Sequence, residues 1–458
     1  MILGEKRIVA PGGSAGIGLA TAQAPARDKA DVAVASGKKD RIEAAPGFPT
    51  AGQGIFGGID RRAFLLALGT FAIGTDAFII AGVLPEISTS LSSSVGATGL
   101  VVSVFSIAYA FGSPIVSSLS ARWRRSTVLI GGLGVFALAN LLSSASPTLV
   151  FLLASRILAA LSAGLVAPAS YALASTLGAA RNRGKNLAVI AAGFTSAMVL
   201  GVPIGVFLSQ YGGWRSSLIF VAVLGAIAAV SMFWAGVPES RSQKAAPALR
   251  DQLRVVAKTQ TVFALMPFLI WSIANFGLYT FIAAILRRSL PATVVPLLLL
   301  LFGLGAVAGN FIGGVLSDRF GTRKPMITCL ALLICALAGI EFTSSSLIAA
   351  GVNMIAWAIL MAALFTLQQQ KAILVDPAQS NLLLALNNSA LYLGAAIGSA
   401  GFGAVISAMS FTLLSPISAG VATLSLGALL LMPLCDQETP PSAQKISCAH
   451  SLDVIEET

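Results

Sequence analysis

The chain has 458 residues, of which 56% are hydrophobic and only 10% are charged. Soluble domains carry about 25% charged residues, so a soluble globular protein is excluded and lipid must be the solvent for most of the chain. The net charge of +11 does not indicate nucleic-acid binding, because the basic residues fall at loop ends rather than on one soluble face. The only histidine, His450, and the four scattered cysteines predict no metal site, no disulfide and no cofactor.

The first 60 residues differ from the rest. Residues 6–10 and 31–36 have the composition of strands, and a glycine-rich turn from Pro11 to Gly18 lies between them. Residues 6–43 resemble the opening β-α-β unit of the short-chain dehydrogenase family, whose turn binds a dinucleotide. No tyrosine is followed four residues later by lysine, so that family's catalytic pair is missing, and the fragment is too short for a doubly wound sheet. We expect residues 1–60 to be a non-functional extension; a fusion oxidoreductase is the alternative.

Apolar stretches of about 18 to 25 residues recur from Arg62 onward, and each is long enough to cross about 30 Å of hydrocarbon as a helix. They predict an all-α membrane protein with twelve transmembrane helices, at residues 62–84, 97–118, 126–145, 148–170, 187–209, 216–237, 262–286, 293–316, 325–343, 347–368, 382–408 and 411–434.

The placement of lysine and arginine predicts the orientation, because these residues favour the cytoplasmic side of short loops. With the start of the first helix inside, only Arg215, Arg287 and Arg288 lie outside. We therefore expect a multi-pass protein of the bacterial inner membrane with both termini in the cytoplasm.

A long hydrophilic segment, residues 238–260, divides the helices into two sets of six. It predicts a six-helix bundle at 61–237, a cytoplasmic linker, a second bundle at 261–434 and a disordered cytoplasmic tail at 435–458. An internal repeat supports this division: four residues recur 197 positions later, namely Gly112, Leu119, Ser120 and Arg122 as Gly309, Leu316, Ser317 and Arg319.

The segment between predicted helices 8 and 9 contains Gly314, Asp318, Arg319, Gly321 and Arg323. It resembles the loop signature of the major facilitator superfamily, with one residue inserted. The glycines permit close approach of two helices, and the charged residues suit helix termini and pairing across a bundle interface. We expect the loop to hold one conformation of the protein. The copy in the first half lacks the acidic residue.

Predicted helix 5 carries Gly193, Gly201, Pro203 and Gly205. The element resembles the antiporter signature of the drug:proton exchangers in the same superfamily, with Val202 in place of a glycine. Glycine and proline permit close packing and a bend in a membrane helix.

Two ionisable residues, Asp76 and Arg156, lie inside predicted helices 1 and 4, each about nine residues from the outer end. Both therefore lie at a similar depth, about 13 Å below the outer boundary. A lone charge at such a depth costs about 2.5–3.5 kcal/mol, so each needs a partner or water. We expect Asp76 to bind and release a proton while Arg156 tunes its affinity; a static structural pair is the alternative. We interpret Glu341 as a solvated helix end.

Polar and aromatic residues with a spacing of four form stripes on three helices of the second half. We expect them to line a cavity for an amphipathic solute; they are Trp271, Asn275 and Tyr279 in helix 7, Asn353 and Trp357 in helix 10, and Asn388 and Tyr392 in helix 11.

About four fifths of the chain resembles the twelve-spanning drug:proton antiporters of the major facilitator superfamily, in the branch that includes chloramphenicol-resistance and arabinose-efflux-like permeases. The resemblance implies two six-helix bundles, export of a drug such as chloramphenicol in exchange for protons, and action as a monomer without an enzymatic activity. A sugar or nucleoside permease of the same fold, and a membrane sensor that does not transport, are the alternatives.

Overall fold

A computed structural model describes residues 59–120, 123–178, 182–236, 259–375 and 380–431 of the chain, and these residues are almost entirely helical, without strands. The all-α prediction is therefore confirmed for this part of the chain. The predictions for the N-terminal extension, most of the linker and the tail lie outside the described residues.

Four helices open the first half. They are α1 (Arg61–Ser90), α2 (Leu100–Ser120), α3 (Arg125–Ser144) and α4 (Leu149–Ala174). A 52-residue helical segment, Arg183–Trp234, follows. Gly213 interrupts it with φ 70° and ψ 174°, a backbone conformation that side chains with a Cβ rarely adopt. The segment therefore forms two helices, α5 (183–212) and α6 (214–234).

The second half repeats this arrangement. Its helices are α7 (Thr259–Thr280), α8 (Val295–Phe320), α9 (Arg323–Thr343), α10 (Leu347–Val375), α11 (Ser380–Ala408) and α12 (Leu414–Leu431). A short helix, Ile282–Leu286, continues α7 beyond a break at Phe281.

Ten segments of the described chain are long and apolar enough to cross a membrane, with Arg183–Trp234 counted as one; α7 contributes the shorter apolar helix Leu265–Thr280. Division at Gly213 gives one helix for each of the twelve predicted spans. Several helices run further than predicted, because the sequence analysis counted only apolar residues whereas polar helix ends continue toward the interface. The exterior of the bundle is apolar: large hydrophobic side chains such as Phe111, Trp234 and Phe342 are exposed there, as expected for a surface that contacts lipid.

Helices alternate in direction, so the bundle has two ends. We call the end of the bundle that contains the N-terminus of α1 the proximal end. The opposite end, which contains the C-terminus of α1, is the distal end. Within the halves, α1 packs on α5 and α8 packs on α10; between the halves, α2 packs on α11 and α5 packs on α8. The hydroxyl groups of Ser103 in α2 and Ser399 in α11 form a buried hydrogen bond of 2.6 Å across the two halves.

Helices α8 and α10 approach closely because three glycines on α8 share one face. A Cβ on Gly305 or Gly313 would lie 2.7 or 2.8 Å from a backbone oxygen of α10, and one on Gly309 would collide with the Ile359 oxygen. Small residues at a spacing of four are a common way to bring membrane helices into contact.

We expect Gly309→Ala to lower the thermal stability of the purified protein in detergent. The added methyl group forces α8 and α10 apart, which costs about 1–3 kcal/mol. Gly314→Ala is the matched control: its Cβ meets nothing within 4 Å, so helix propensity alone acts and stability is retained or slightly raised. Equal melting temperatures for the two variants would contradict the packing assignment.

Candidate functional site

A buried ion pair joins α1 to α4. Nη1 of Arg156 lies 2.6 Å from Oδ1 of Asp76, and Nη2 lies 3.4 Å from the Asp76 backbone oxygen. The side chains of both residues are buried, with exposed fractions of 1% and 0%. The two charges that the sequence analysis singled out are therefore in direct contact, in the interior of the first half.

Two further groups hold the Arg156 guanidinium. Asn140 in α3 accepts a hydrogen bond of 3.3 Å from Nη1, and the guanidinium carbon lies 4.6 Å from the centre of the Phe105 ring in α2. Such cation–π contacts are strong where water is excluded. One polar atom on each side of the pair, Oδ2 of Asp76 and Nε of Arg156, is buried and has no hydrogen-bond partner. The arginine thus has three kinds of partner, whereas the carboxylate depends on the arginine.

A cavity of about 40 Å³ lies beside the ion pair, between the two halves. The residues that follow Asp76, Ala77 and Phe78, line it, so α1 contributes to both features. The rest of the lining combines aliphatic side chains with four aromatic residues and two hydroxyl-bearing ones: Phe194, Phe276, Tyr279 and Tyr392, and Ser106 and Thr280. This volume suffices for a few water molecules only, so a larger solute requires separation of the halves.

Of the predicted cavity stripe, Tyr279 and Tyr392 line the cavity. Asn275 and Trp357 lie one layer behind it: the Trp357 indole donates a hydrogen bond of 2.7 Å to Oδ1 of Asn275, and its ring stands at 6.3 Å from the Tyr279 ring. Trp271 is also buried and stacks on Phe268 at 5.0 Å. These three residues support the cavity wall rather than form its surface.

Two predicted cavity residues lie elsewhere. Asn353 donates a hydrogen bond of 3.2 Å to Thr343 at the distal end of α9, and Asn388 is exposed. The next residue before it, Asn387, is fully buried, and both polar atoms of its side chain lack a hydrogen-bond partner. At this level of α11 the buried amide side chain is therefore that of Asn387 and not that of Asn388.

Aromatic residues that the sequence analysis missed connect the two halves. Tyr109 in α2 stacks on Tyr392 in α11 with ring centres 4.0 Å apart, and Phe105 lies 6.3 Å from Tyr109 in a parallel arrangement. Phe105 also covers Arg156, so one row of aromatic rings runs from the ion pair to the second half. Their spacing of four along α2 was the available signal in the sequence.

The glycines of the predicted antiporter element face α1. A Cβ on Gly193 would collide with the Ala67 oxygen, one on Gly201 with the Thr75 hydroxyl and one on Gly205 with Ile79. The element therefore packs against the helix that carries Asp76. Between these glycines, Ala197–Gly201 forms a π-helical turn directly before Val202 and Pro203. Proline lacks an amide hydrogen, which favours such an irregular turn.

The same π-helical turn contacts the second half. A Cβ on Gly303 in α8 would collide with the Met198 oxygen and approach the Val199 Cα to 2.7 Å. The α5 backbone is thus in contact with α1 on one face and with α8 on the other.

The residues of the predicted loop signature lie at the proximal end, around the turn between α8 and α9. Gly321 ends α8 with φ 72°, a left-handed conformation that explains the glycine. Gly314 has open space around it, whereas Gly313 contacts α10. Asp318 and Arg319 are exposed, and Arg323 begins α9.

At the distal end the two halves are in contact. Arg287, after α7, pairs with Glu86 of α1 at 2.6 Å across the halves, while Arg288 pairs with Glu341 of α9 within the second half at 2.9 Å. A Cβ on Gly96 would collide with the Gly403 oxygen of α11. The structure is therefore closed at this end. Among the described residues, no group of histidine, cysteine and acidic side chains has the arrangement of a metal site.

We expect Arg156→Met to destabilise the protein by about 3–5 kcal/mol, because it leaves the Asp76 carboxylate buried without a counter-charge. The double variant Asp76→Asn, Arg156→Gln removes both charges and is expected to recover most of the loss. Thermal unfolding in detergent measures this. A single variant as stable as the parent protein would contradict a pair that stabilises the fold.

Comparisons with known proteins agree with this architecture. The family model of the Major Facilitator Superfamily matches residues 66–399 and, in a second match, residues 283–447. The inner membrane transport protein YdhP of Escherichia coli (strain K12) is 32% identical over 380 residues, which cover 82% of this chain and 96% of that protein.

Two further proteins are informative. A chloramphenicol resistance protein of Streptomyces lividans is 34% identical over 262 residues, which cover 56% of this chain and 66% of that protein. The crystal structure of a mutant of the nucleoside transporter NupG superposes with a TM-score of 0.67 at 14% sequence identity, over 80% of this chain and 98% of that one. Together with the twelve-helix fold in two halves, these matches show that the chain belongs to the Major Facilitator Superfamily and is a multi-pass membrane protein of the transporter type.

Proposed function

We propose that the protein exports a small, neutral, amphipathic solute across the bacterial inner membrane in exchange for protons. The observation that carries the proposal is the buried Asp76–Arg156 pair, which adjoins the aromatic cavity through Ala77 and Phe78. Titratable groups inside membrane helices mark ion or proton pathways, since their burial is unfavourable without a function or a partner.

The carboxyl group of Asp76 is the proposed proton carrier. Protonation removes its charge and with it the attraction to Arg156, while Arg156 keeps Asn140 and the Phe105 ring as partners. Burial disfavours the charged carboxylate and the nearby guanidinium favours it, so a movement that changes their separation loads or unloads the proton. The unpartnered Oδ2 is the position where a proton is added without loss of an existing hydrogen bond.

The row of aromatic rings supplies a route from this pair to the cavity. Phe105 covers Arg156 and packs on Tyr109, which stacks on the cavity residue Tyr392 of the second half. A shift of the guanidinium on proton transfer therefore acts on an inter-half contact. In alternating access, the two halves rock around such a midplane site.

Placement of basic residues supports the orientation in which the proximal end is cytoplasmic and the distal end is periplasmic. The proximal end holds Arg61, Arg62, Arg124, Arg125, Arg183, Lys185, Arg319, Arg323, Lys324 and Lys371, whereas the distal end holds Arg215, Arg287 and Arg288. A proton that enters along a potential of 100 mV releases about 2.3 kcal/mol, enough for a roughly 50-fold outward gradient of a neutral solute.

The lining of the cavity favours a neutral amphipathic substrate. Aromatic and aliphatic side chains and a few hydroxyl groups line it, and none of its lining residues is charged. A sugar would need more hydrogen-bonding groups. The likeness to a chloramphenicol resistance protein supports a drug of that kind. We propose that the protein acts as a monomer, because each chain has both halves and a cavity between them.

The two sequence elements have proposed roles in the rocking motion. Through Gly193, Gly201 and Gly205, α5 packs on the helix that carries Asp76, and its π-helical turn contacts Gly303. This element can pass a movement of α1 to α8. The loop at Gly321 is proposed to limit the movement of α8 against α9 at the proximal end.

We expect Asp76→Asn to lower the rate of uphill transport at least tenfold, because the side chain no longer exchanges a proton. The measurement is uptake of chloramphenicol by everted vesicles under a proton gradient, with and without an uncoupler. Energy-independent exchange of the solute should persist.

The matched control is Glu341→Gln, which removes an acid that pairs with Arg288 at the distal surface, and we expect uphill transport to be retained. Undiminished uphill export by the Asp76→Asn variant would contradict the proposed coupling of transport to protonation of Asp76.

We expect Phe276→Ala to raise the chloramphenicol concentration for half-maximal transport about 2- to 10-fold, since one aromatic contact contributes about 0.5–1.5 kcal/mol. Phe276 lines the cavity and stacks on Phe78 at 6.3 Å. Phe233→Ala, at an exposed position on α6, serves as the control and should leave the value unchanged. An equal effect of both substitutions would argue against this cavity as the binding site.

A further inference from the structure

A second cavity, of about 390 Å³, lies at the distal end, apart from the aromatic cavity. Three parts of the chain meet there: the close of α1, the turn between α5 and α6, and the residue Arg287 that follows α7. We call it the distal pocket and define it by Glu86, Ser90, Gly213, Trp214, Arg215 and Arg287. Its volume lies in the range of small-molecule sites.

The distal pocket carries an excess positive charge. Its charged residues are two arginines and one acid, and the acid, Glu86, already pairs with Arg287. Arg215 instead donates to neutral groups, the Ser90 hydroxyl at 3.1 Å and the Ser146 backbone oxygen at 3.0 Å. Within the described part of the chain, no carboxylate lies within ion-pair distance of Arg215. One guanidinium charge therefore has no counter-charge, and hydrogen bonds hold it in position.

Further features of the distal pocket suit an anion. The Arg215 guanidinium lies 4.6 Å from the centre of the buried Trp214 ring, a cation–π contact that holds the charge in position. The Trp214 side chain is 2% exposed, and its indole nitrogen has no hydrogen-bond partner. Gly213 breaks the helix with φ 70°, so α6 starts at the pocket with the positive end of its dipole.

We infer that the distal pocket binds a small monoanion through its carboxylate or phosphate group. Arg215 belongs to the first half and Arg287 to the second half, so the pocket is complete only while the distal end is closed. A ligand that binds one of two states shifts the population toward that state. The anion therefore stabilises the closed distal end and slows the transport cycle. This consequence rests on the proposed function, whereas binding itself does not.

Binding is tested with butyrate and its neutral isostere butyramide, on the purified full-length protein in phosphatidylcholine nanodiscs, by ligand-observed NMR. Butyrate should bind, inorganic phosphate should compete with it, and butyramide should not bind. Arg215→Gln should weaken butyrate binding at least tenfold, while Arg288→Gln, the adjacent arginine that pairs with Glu341 outside the pocket, should leave it unchanged. Equal binding of butyrate and butyramide, or no effect of Arg215→Gln, would overturn the inference.

The source of the anion is tested by nanodiscs that contain phosphatidylglycerol. Loss of butyrate binding in these nanodiscs, with binding retained in pure phosphatidylcholine, identifies a lipid headgroup as the occupant. Binding that is equal in the two lipids identifies a soluble anion. Both outcomes support an anion site.

The conformational effect is tested with spin labels at Ala145→Cys and Ser345→Cys, one exposed position at the distal end of each half, in a background without the native cysteines. Butyrate should increase the population with the short distance, and butyramide should not. This measurement leaves the pocket residues intact, so it remains valid if an arginine variant fails to fold. It also needs no transport, so a failure of proton coupling in the vesicle assay is a separate result.

Discussion

The contact between Arg156 and Asp76 sets the arrangement of the first half, because neither charge is stable alone in an apolar interior. It fixes α1 and α4 relative to each other at the level of the cavity, and Asn140 and Phe105 bring α3 and α2 to the same point. Four helices therefore converge on one guanidinium group. Since Oδ2 of the carboxylate has no hydrogen-bond partner, this pair is where the proposed mechanism places the exchanged proton.

Two inter-half contacts lie within reach of that pair, and they differ in character. One is made of side chains, the stacked rings of Tyr109 and Tyr392, and the other of backbone, where the π-helical turn of α5 meets Gly303. Aromatic rings can slide or tilt at a cost of about 0.5–1.5 kcal/mol, whereas a backbone contact without side chains between acts as a fixed pivot. A rocking motion requires one contact that stays fixed, here the backbone contact at Gly303, and one that can change, here the Tyr109–Tyr392 stack.

The sequence predicts most of the fold, because hydropathy alone identifies apolar segments of spanning length. It also identifies Asp76 and Arg156, since charges are rare in such segments and these two share a depth. Helix rotation is harder to predict. On a helix of 3.6 residues per turn Asn388 lies about 40° from the cavity residue Tyr392, yet it is exposed, whereas Asn387, about 140° from Tyr392, is buried. Phe78 and Tyr109 were missed because a buried aromatic residue in a membrane helix has the same local sequence pattern whether it packs or lines a cavity.

The contacts also indicate which end opens first. On the proximal side of the cavity, the described residues that join the halves include the Tyr109–Tyr392 stack and a hydrogen bond of 3.4 Å from Ser389 to the Ala110 oxygen. At the distal end, the Glu86–Arg287 pair adds little by itself because it is partly exposed, but Gly96 packs directly on the backbone of α11 and Gln210 donates to the Ala292 oxygen at 3.0 Å. Separation at the distal end breaks backbone packing, whereas separation at the proximal end begins with one pair of rings. The cavity of about 40 Å³ therefore enlarges most readily toward the proximal end, which is the cytoplasmic end in the orientation proposed above.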